Sequence, residues 1–517
     1  MTLVLRDARL PGSDDVTDIE ILTGADVTST VGRIGYLGPG GAWASASASA
    51  SAGNDDRRVD ELDLGGRFVI PGLWDNHVHL TQWAQTARRL DVSGAASARE
   101  TAALVAECLG ARAAQAAQGA GPAGETLVGF GFRDGLWPDA PSRALLDAVS
   151  GSTPVVLISG DLHCCWLNSA ALALHGHGEH PTGLLREAAA FAVVDELGVV
   201  PEHVMDGWVA DAAQAAASRG IVGVVDMEMT WNLADWTRRI AAGNTALRVE
   251  FAIYTQHLDR AIADGLATGQ LIDGTHGLLS VGPYKVITDG SLNTRTAFCF
   301  DEYPGLAGLP GSHGLLTVPT DKLVDWMRKA NAAGIRPAVH AIGDHANSLA
   351  LDAFAAVGCG GSIEHAQLLT TRDIARFAEL GVVASMQPEH AMDDRDVADV
   401  YWAGHTDRAF MLASLQEAGV ELALGSDAPV APLDPWVSMA AAVGRSRDER
   451  EPWHLEQAIS RQAALAASAR GRHTVSSGDV ADLVVCEIDP FVASVSDLRR
   501  MPVAATMLNG RFTYSRL

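Results

Sequence analysis

Six residues of metal-ligating or metal-bridging type recur in one kind of setting along this 517-residue chain. In "VIPGLWDNHVHL" (69–80), His77 and His79 stand one residue apart. In an extended strand, residues i and i+2 point to the same side, so both imidazoles can share one ion. Further on, "AVHAIGD" offers His340, "IEHAQ" offers His365 and "LGSDAPV" offers Asp427. Each follows a short apolar run. Singly these are bland, since a strand-end histidine is often only hydrogen-bonded and an aspartate there is often a helix cap. Together they make a mixed nitrogen and oxygen set suited to Zn²⁺ or a similar divalent ion. "YKVITDG" adds Lys285 in a mostly apolar strand, where a bare ammonium is costly to bury. It either pairs with a carboxylate such as Asp289 or is neutral and has taken up CO₂ as a carbamate, able to bridge two metal ions, so the centre is expected to hold one or two divalent ions.

Such a set works only if a scaffold brings distant segments to one place. Short apolar runs alternate with helical stretches, the pattern of an α/β parallel sheet. Eight strands are expected at 67–72, 220–227, 247–254, 281–290, 335–343, 360–366, 381–388 and 420–428, with helices such as "TDKLVDWMRKANAAG" between them. That count predicts a (β/α)₈ TIM barrel over 67–471, whose chemistry sits at the C-terminal ends of its strands. The long gap after strand one has its own strand and helix alternation and reads as an inserted α/β subdomain over about 95–210. Both chain ends are β-rich; 1–66 and 472–517 are expected to pair as a small composite β-sandwich. The Ala/Ser-rich run "AWASASASASAGNDDRR" reads as a surface loop.

The segments "PGLWDNHVHL", "GPYKVITDGSLNTRTAF", "AVHAIGDHA", "SIEHAQ", "SMQPEH" and "LGSDAPV" occur in that order. With "DLHCCWLNSAAL", "GLLRE" and "GDVADLVVCEIDP" they span nearly the whole chain. This set resembles the metal-dependent amidohydrolase superfamily, and within it the amidohydrolase-3 group that includes N-substituted formamide deformylases. The resemblance implies that His77 and His79, with Asp427, bind the more buried metal. His340 and His365 would bind the more exposed one, and carbamylated Lys285 would bridge the two. Asp427 would also be the general base. His345, Asn293 and Ala428 depart from the residues common in the group, which leaves the ligand set intact and puts the substrate in doubt.

These ligands imply hydrolysis of a C–N amide-type bond: metal-activated hydroxide attacks a carbonyl, and Asp427 takes the proton and delivers it to the leaving nitrogen. Deamination or opening of a cyclic amide on the same centre is the alternative. A non-catalytic scaffold is disfavoured, because all six positions are filled. His163, Asp289, Arg295 and Trp74 are candidates to contact substrate or support a ligand, with Glu187 a weaker one.

With 38 Lys+Arg against 63 Asp+Glu the net charge is −25, which argues against nucleic-acid and anionic-membrane partners. No apolar run approaches the ~20 residues that span a bilayer. The six scattered cysteines and the absence of a signal-like start suit a cytoplasmic enzyme of small-molecule amides, with a homodimer as candidate assembly.

Overall fold

The computed structural model describes residues 2–22, 32–43, 59–117, 125–197, 200–447 and 450–517. The Ala/Ser-rich run from 44 to 58 lies outside them. Eight parallel strands form the central sheet: Leu73–Val78, Ile221–Asp226, Arg248–Tyr254, Leu279–Ile287, Pro337–Ala341, Gly361–His365, Val382–Met386 and Leu422–Leu424. Most read as nearly unbroken apolar runs, because a parallel sheet closed on itself and covered by helices has no solvent face. The ring closes at its upper rim. Val78 bridges Ala428, the Asp427 amide donates to the His77 carbonyl at 2.7 Å, and the His79 amide donates to the Ala428 carbonyl at 2.8 Å. The segments carrying His77, His79 and Asp427 are therefore hydrogen-bonded neighbours.

Strand one differs from the sequence expectation. Phe68–Pro71 pairs antiparallel with Leu483–Cys486 and belongs to the domain built from the chain ends, whose boundary moves to Gly72. The chain changes sheets there for steric reasons. Pro71 has no amide hydrogen to carry a ladder onward, and a Cβ on Gly72 would stand 2.5 Å from Val222 Cγ2. The true first strand, "LWDNHV", is polar at three of its six positions, so an apolar pattern does not reveal it.

The insert carries a five-stranded sheet ordered 184–186, 164–167, 155–159, 127–132 and 90–91. Its strands alternate across two cores, so the neighbours Cys164 and Cys165 fall on opposite faces. Both are free thiols, as are the other four cysteines. The insert begins by Leu90 and ends near Leu197, short of 210. The helix Glu202–Ala217 buries Met205, Val209, Ala213 and Ala216 in the barrel core instead. The chain ends form one eight-stranded sheet rather than two separate ones. It curls until Arg33 bridges Val480, which encloses Ile19, Ile34, Val69, Val485 and Met507 in a single core. Among the described residues, no helix is long and apolar enough to cross a membrane.

Candidate metal centre

The strand ends meet in one cavity lined by His77, His79, Lys285, His340, His365, His390 and Asp427. His77 ends strand one and His79 follows it. Their Nε2 atoms lie 3.4 and 3.5 Å from Asp427 Oδ1. His365 ends strand six, its ring centroid 5.1 Å from that of His77 and 4.4 Å from that of His340. Two tight sets emerge, His77–His79–Asp427 and His365–His390–Asp427, with ligand atoms within 4.8 Å of one another in each. Asp427 is common to both. His365 and Asp427 have φ of 74° and 56°, a left-handed backbone that non-glycine residues hold only where the surroundings enforce it.

Lys285 lies on strand four, buried, with Nζ 3.3 Å from His77 Nε2. Burial pushes its amine below the usual lysine range, despite the nearby carboxylates of Glu364 and Asp427. Burial also favours neutral imidazoles: it lowers His77, with Lys285 adding to the effect, and takes His340 and His365 well below 6.5. Asp427 runs the other way. Burial alone would raise it, but His77, His79 and His365 outweigh burial and hold the carboxyl well below the ordinary range. His79 departs from this: burial would lower it, but Asp427 and Glu228 outweigh burial and raise it. Neutral His77, His340 and His365 beside an ionised carboxylate are protonation states that suit a divalent cation.

Four buried imidazole nitrogens here, His79 Nδ1, His340 Nε2, His365 Nδ1 and His390 Nε2, have no hydrogen-bond partner. A buried polar atom without a partner is costly, and several in one cavity are accounted for if a cation takes some of them. The donor set therefore fits a divalent ion.

Three residues of this centre were not singled out from the sequence. His390, in "SMQPEH" after strand seven, joins His365 and Asp427; its signal was another histidine just beyond a strand end. Glu364, beside His365 in "IEHAQ", holds His77 from behind, with Oε2 2.7 Å from Nδ1. That contact turns Nε2 toward Asp427, the usual support of a metal-binding histidine. Asp75 accepts the backbone N–H groups of His77 (3.1 Å) and Ser426 (3.0 Å), tying strand one to strand eight beneath the site. Burial pushes its carboxyl up to about 7.

The remaining candidates separate. His163 lines the cavity. Asp289 accepts from the backbone N–H groups of Phe298 (2.8 Å), Ile342 (3.0 Å) and Gly343 (2.9 Å), joining the loops after strands four and five. Its Oδ1 is 3.6 Å from His340 Nε2, so it also flanks that ligand candidate. Glu187 anchors His163. Arg295 makes no ion pair among the described residues. It lies over the Tyr401 ring at 5.4 Å, outside the cavity lining. Trp74 packs across Gly223 and beneath Arg470 at 4.0 Å, outside the cavity lining. Asn293, a departure from the group pattern, fastens the insert: its Oδ1 accepts from the Gly135 amide at 3.1 Å. His345, another departure, stacks between Phe298 and Phe300.

Comparison with known proteins agrees with this geometry. The family model described as "Amidohydrolase family" matches residues 60–514. Protein LONG AFTER FAR-RED 3 of Arabidopsis thaliana is 28% identical, over 88% of this chain and 83% of its own. Putative amidohydrolase YtcJ of Bacillus subtilis is 26% identical, over 89% and 91%. N-substituted formamide deformylase of Arthrobacter pascens is also 26% identical, over 89% and 90%. An uncharacterized metal-dependent hydrolase from Pyrococcus horikoshii has the same fold, with a TM-score of 0.74 at 23% identity over 96% of this chain and 99% of its own. A barrel whose strand ends gather histidines around one shared aspartate, with a family match over most of its length, leads to one assignment: the chain belongs to the amidohydrolase family and is a metal-dependent hydrolase of carbon–nitrogen bonds.

Proposed function

We propose that this enzyme hydrolyses a small N-substituted amide, an N-substituted formamide being the first candidate, to an amine and an acid. The observation that carries the reading is Asp427: a carboxylate held ionised among imidazoles, shared by both ligand sets and open to the cavity. The relative from Arthrobacter pascens, named for formamide deformylation, supports the substrate class. His77, His79 and Asp427 would hold one ion, and His340 and His365 a second, with His390 adjoining. Lys285, whose amine burial pushes toward the neutral form that takes up CO₂, would join the two ions as a carbamate. Zn²⁺ suits these donors. A bound divalent ion supplies a water acidic enough to attack at neutral pH and polarises the scissile carbonyl.

The chain's own residues do the rest. Asp427 accepts the proton of the attacking water and returns it to the leaving nitrogen, acting first as base and then as acid. Glu364 keeps His77 Nδ1 occupied, so Nε2 stays a lone-pair donor. Apolar side chains such as Met229, Ile287 and Ile342 line the cavity beside the metal-facing groups. The free thiols suit work in the reducing cytoplasm.

The test is the Zn²⁺-loaded enzyme against a panel of N-alkyl formamides and acetamides, with acid, amine and ammonia measured separately. Matched acid and amine are expected. Ammonia released without an acid would point to deamination instead, and no turnover at full metal occupancy would refute the amide reading.

A further inference from the structure

His163 is one charged side chain in the cavity that the reaction above leaves without a role. It comes from the insert, just before the strand Cys164–Leu167. Its ring lines the cavity, with its centroid 6.3 Å from that of His340 and Phe191 edge-on at 5.6 Å. Nδ1 is taken: it lies 2.9 Å from Glu187 Oε2. Nε2 is the ring's remaining polar atom and is not among the buried atoms that lack a partner, so it opens onto the cavity.

The ring is held from two sides. Glu187 accepts from Thr296 Oγ1 at 2.7 Å. Asp161 accepts from the His163 backbone N–H at 3.2 Å, from Ser159 Oγ at 2.5 Å and from Ser291 Oγ at 2.7 Å. Ser291 and Thr296 sit in the loop after strand four, so barrel and insert together fix one imidazole. Leu162 and Glu187 have φ of 65° and 49°, a left-handed backbone that gathers where function requires a fixed geometry. The ion pair of Nδ1 with the Glu187 carboxylate favours the imidazolium, whose second proton sits on Nε2; burial opposes it, but Glu187 and Asp161 outweigh burial and push His163 up to about 9.

We propose that His163 is a substrate-binding donor: Nε2–H hydrogen-bonds the acyl oxygen of the substrate and strengthens as negative charge develops there. His163 keeps its proton throughout, and Glu187, Asp161, Ser291 and Thr296 position it. The role rests on the amide reading above. It also gives the insert and the "GSLNTRTA" loop a shared purpose, to aim one donor at the metal centre.

The test compares wild type, His163→Ala and His163→Gln as metal-loaded holoenzymes. Turnover of N-butylformamide and N-butylacetamide is measured, together with calorimetric binding of N-butyl methylphosphonamidate, an anionic tetrahedral mimic. Removing an oxyanion donor costs about 10²–10³ in kcat. His163→Ala is expected to lose that factor in kcat, to bind the mimic more weakly by a similar factor, and to change KM and metal content little. His163→Gln, which reaches as far with a neutral N–H, is expected to regain roughly tenfold; if the Ala variant fails to fold, the Gln variant carries the comparison against wild type. Unchanged kcat, or a mimic Kd shared by wild type and variant, would overturn the role. If wild type turns over neither amide, the amide reading falls while the mimic still decides on His163: a weakened Kd sustains an oxyanion donor for another substrate, and equal or absent binding overturns it.

Discussion

Glu364 gives the sharpest test of how the centre is built, because it touches a ligand without being one. Its side chain is 2% exposed and that of His77 is 1% exposed, so the 2.7 Å contact between them is unscreened by water. Glu364→Gln is nearly isosteric. Ser362 Oγ, which now donates to Glu364 Oε1 at 2.5 Å, could accept from the new amide, leaving the amide oxygen for His77 Nδ1–H. The contact then survives without its charge. A charge-assisted bond is worth roughly 1.5–3 kcal/mol against about 1 kcal/mol for a neutral one. The difference of about 1–2 kcal/mol corresponds to roughly 5–30-fold in metal affinity. Glu364→Ala goes further. Its Nδ1 neighbour becomes Gln387 Nε2, a donor 3.5 Å away. That favours the tautomer with hydrogen on Nε2, the atom needed for the ion, so the loss should exceed ~100-fold, the upper range for residues that support a metal ligand. Titrating Zn²⁺ against a chromophoric chelator of known affinity reads both values, and circular dichroism checks the fold. If both variants bind Zn²⁺ within about threefold of wild type, His77 is not oriented by Glu364 and the reasoning fails.

Asp427→Asn should cut kcat by roughly 10³-fold or more, because it removes the proton acceptor as well as a ligand. Arg295→Ala, which lies outside the cavity lining, should retain most activity; similar losses in the two would remove Asp427 from the role of base. Asp289→Ala strands three backbone N–H groups, two of them buried, and should destabilise the fold by about 3 kcal/mol or more in urea unfolding, against less than about 1 kcal/mol for Arg295→Ala; equal costs would contradict the clamp. His163 moves from 6.5 to about 9 on folding, beside Glu187, Asp161, Asp427 and His340. A raised value stabilises fully below about pH 6.5 and is lost as pH rises through about 9, on the order of 3 kcal/mol. The stability gap between wild type and His163→Gln should therefore shrink over that interval, and a constant gap would show that His163 is not held as a cation.

The barrel was legible because most of its strands, such as Ile221–Asp226 and Pro337–Ala341, are buried throughout and read as nearly unbroken apolar runs. Strand one was misplaced for the reason that makes it functional: Asp75, Asn76 and His77 turn a barrel strand polar, while the apolar "RFVIP" beside it belongs to another sheet. The same trade explains the site. His340, His365 and Asp427 were found because each lies at the end of a recognisable strand, and His77 and His79 because they follow the apolar run beside strand one, whereas the supports were not. Glu364 and Asp75 look like ordinary strand polar residues until the fold places a histidine nitrogen or a neighbouring strand's amides against them. Spacing along the chain carries no signal for such partners: Glu364 is 287 residues from His77, and Asp75 is 351 residues from Ser426. What a sequence shows at a site like this is the set of groups able to ligate. Which nitrogen each histidine presents is decided by contacts between segments hundreds of residues apart, and those contacts set affinity and protonation. His163 is the clearest instance. Its neighbourhood in the chain is an apolar strand of the insert, yet its aim comes from Glu187, 24 residues on in the same insert, and from Ser291 and Thr296, which only the docking of insert on barrel places against Asp161 and Glu187.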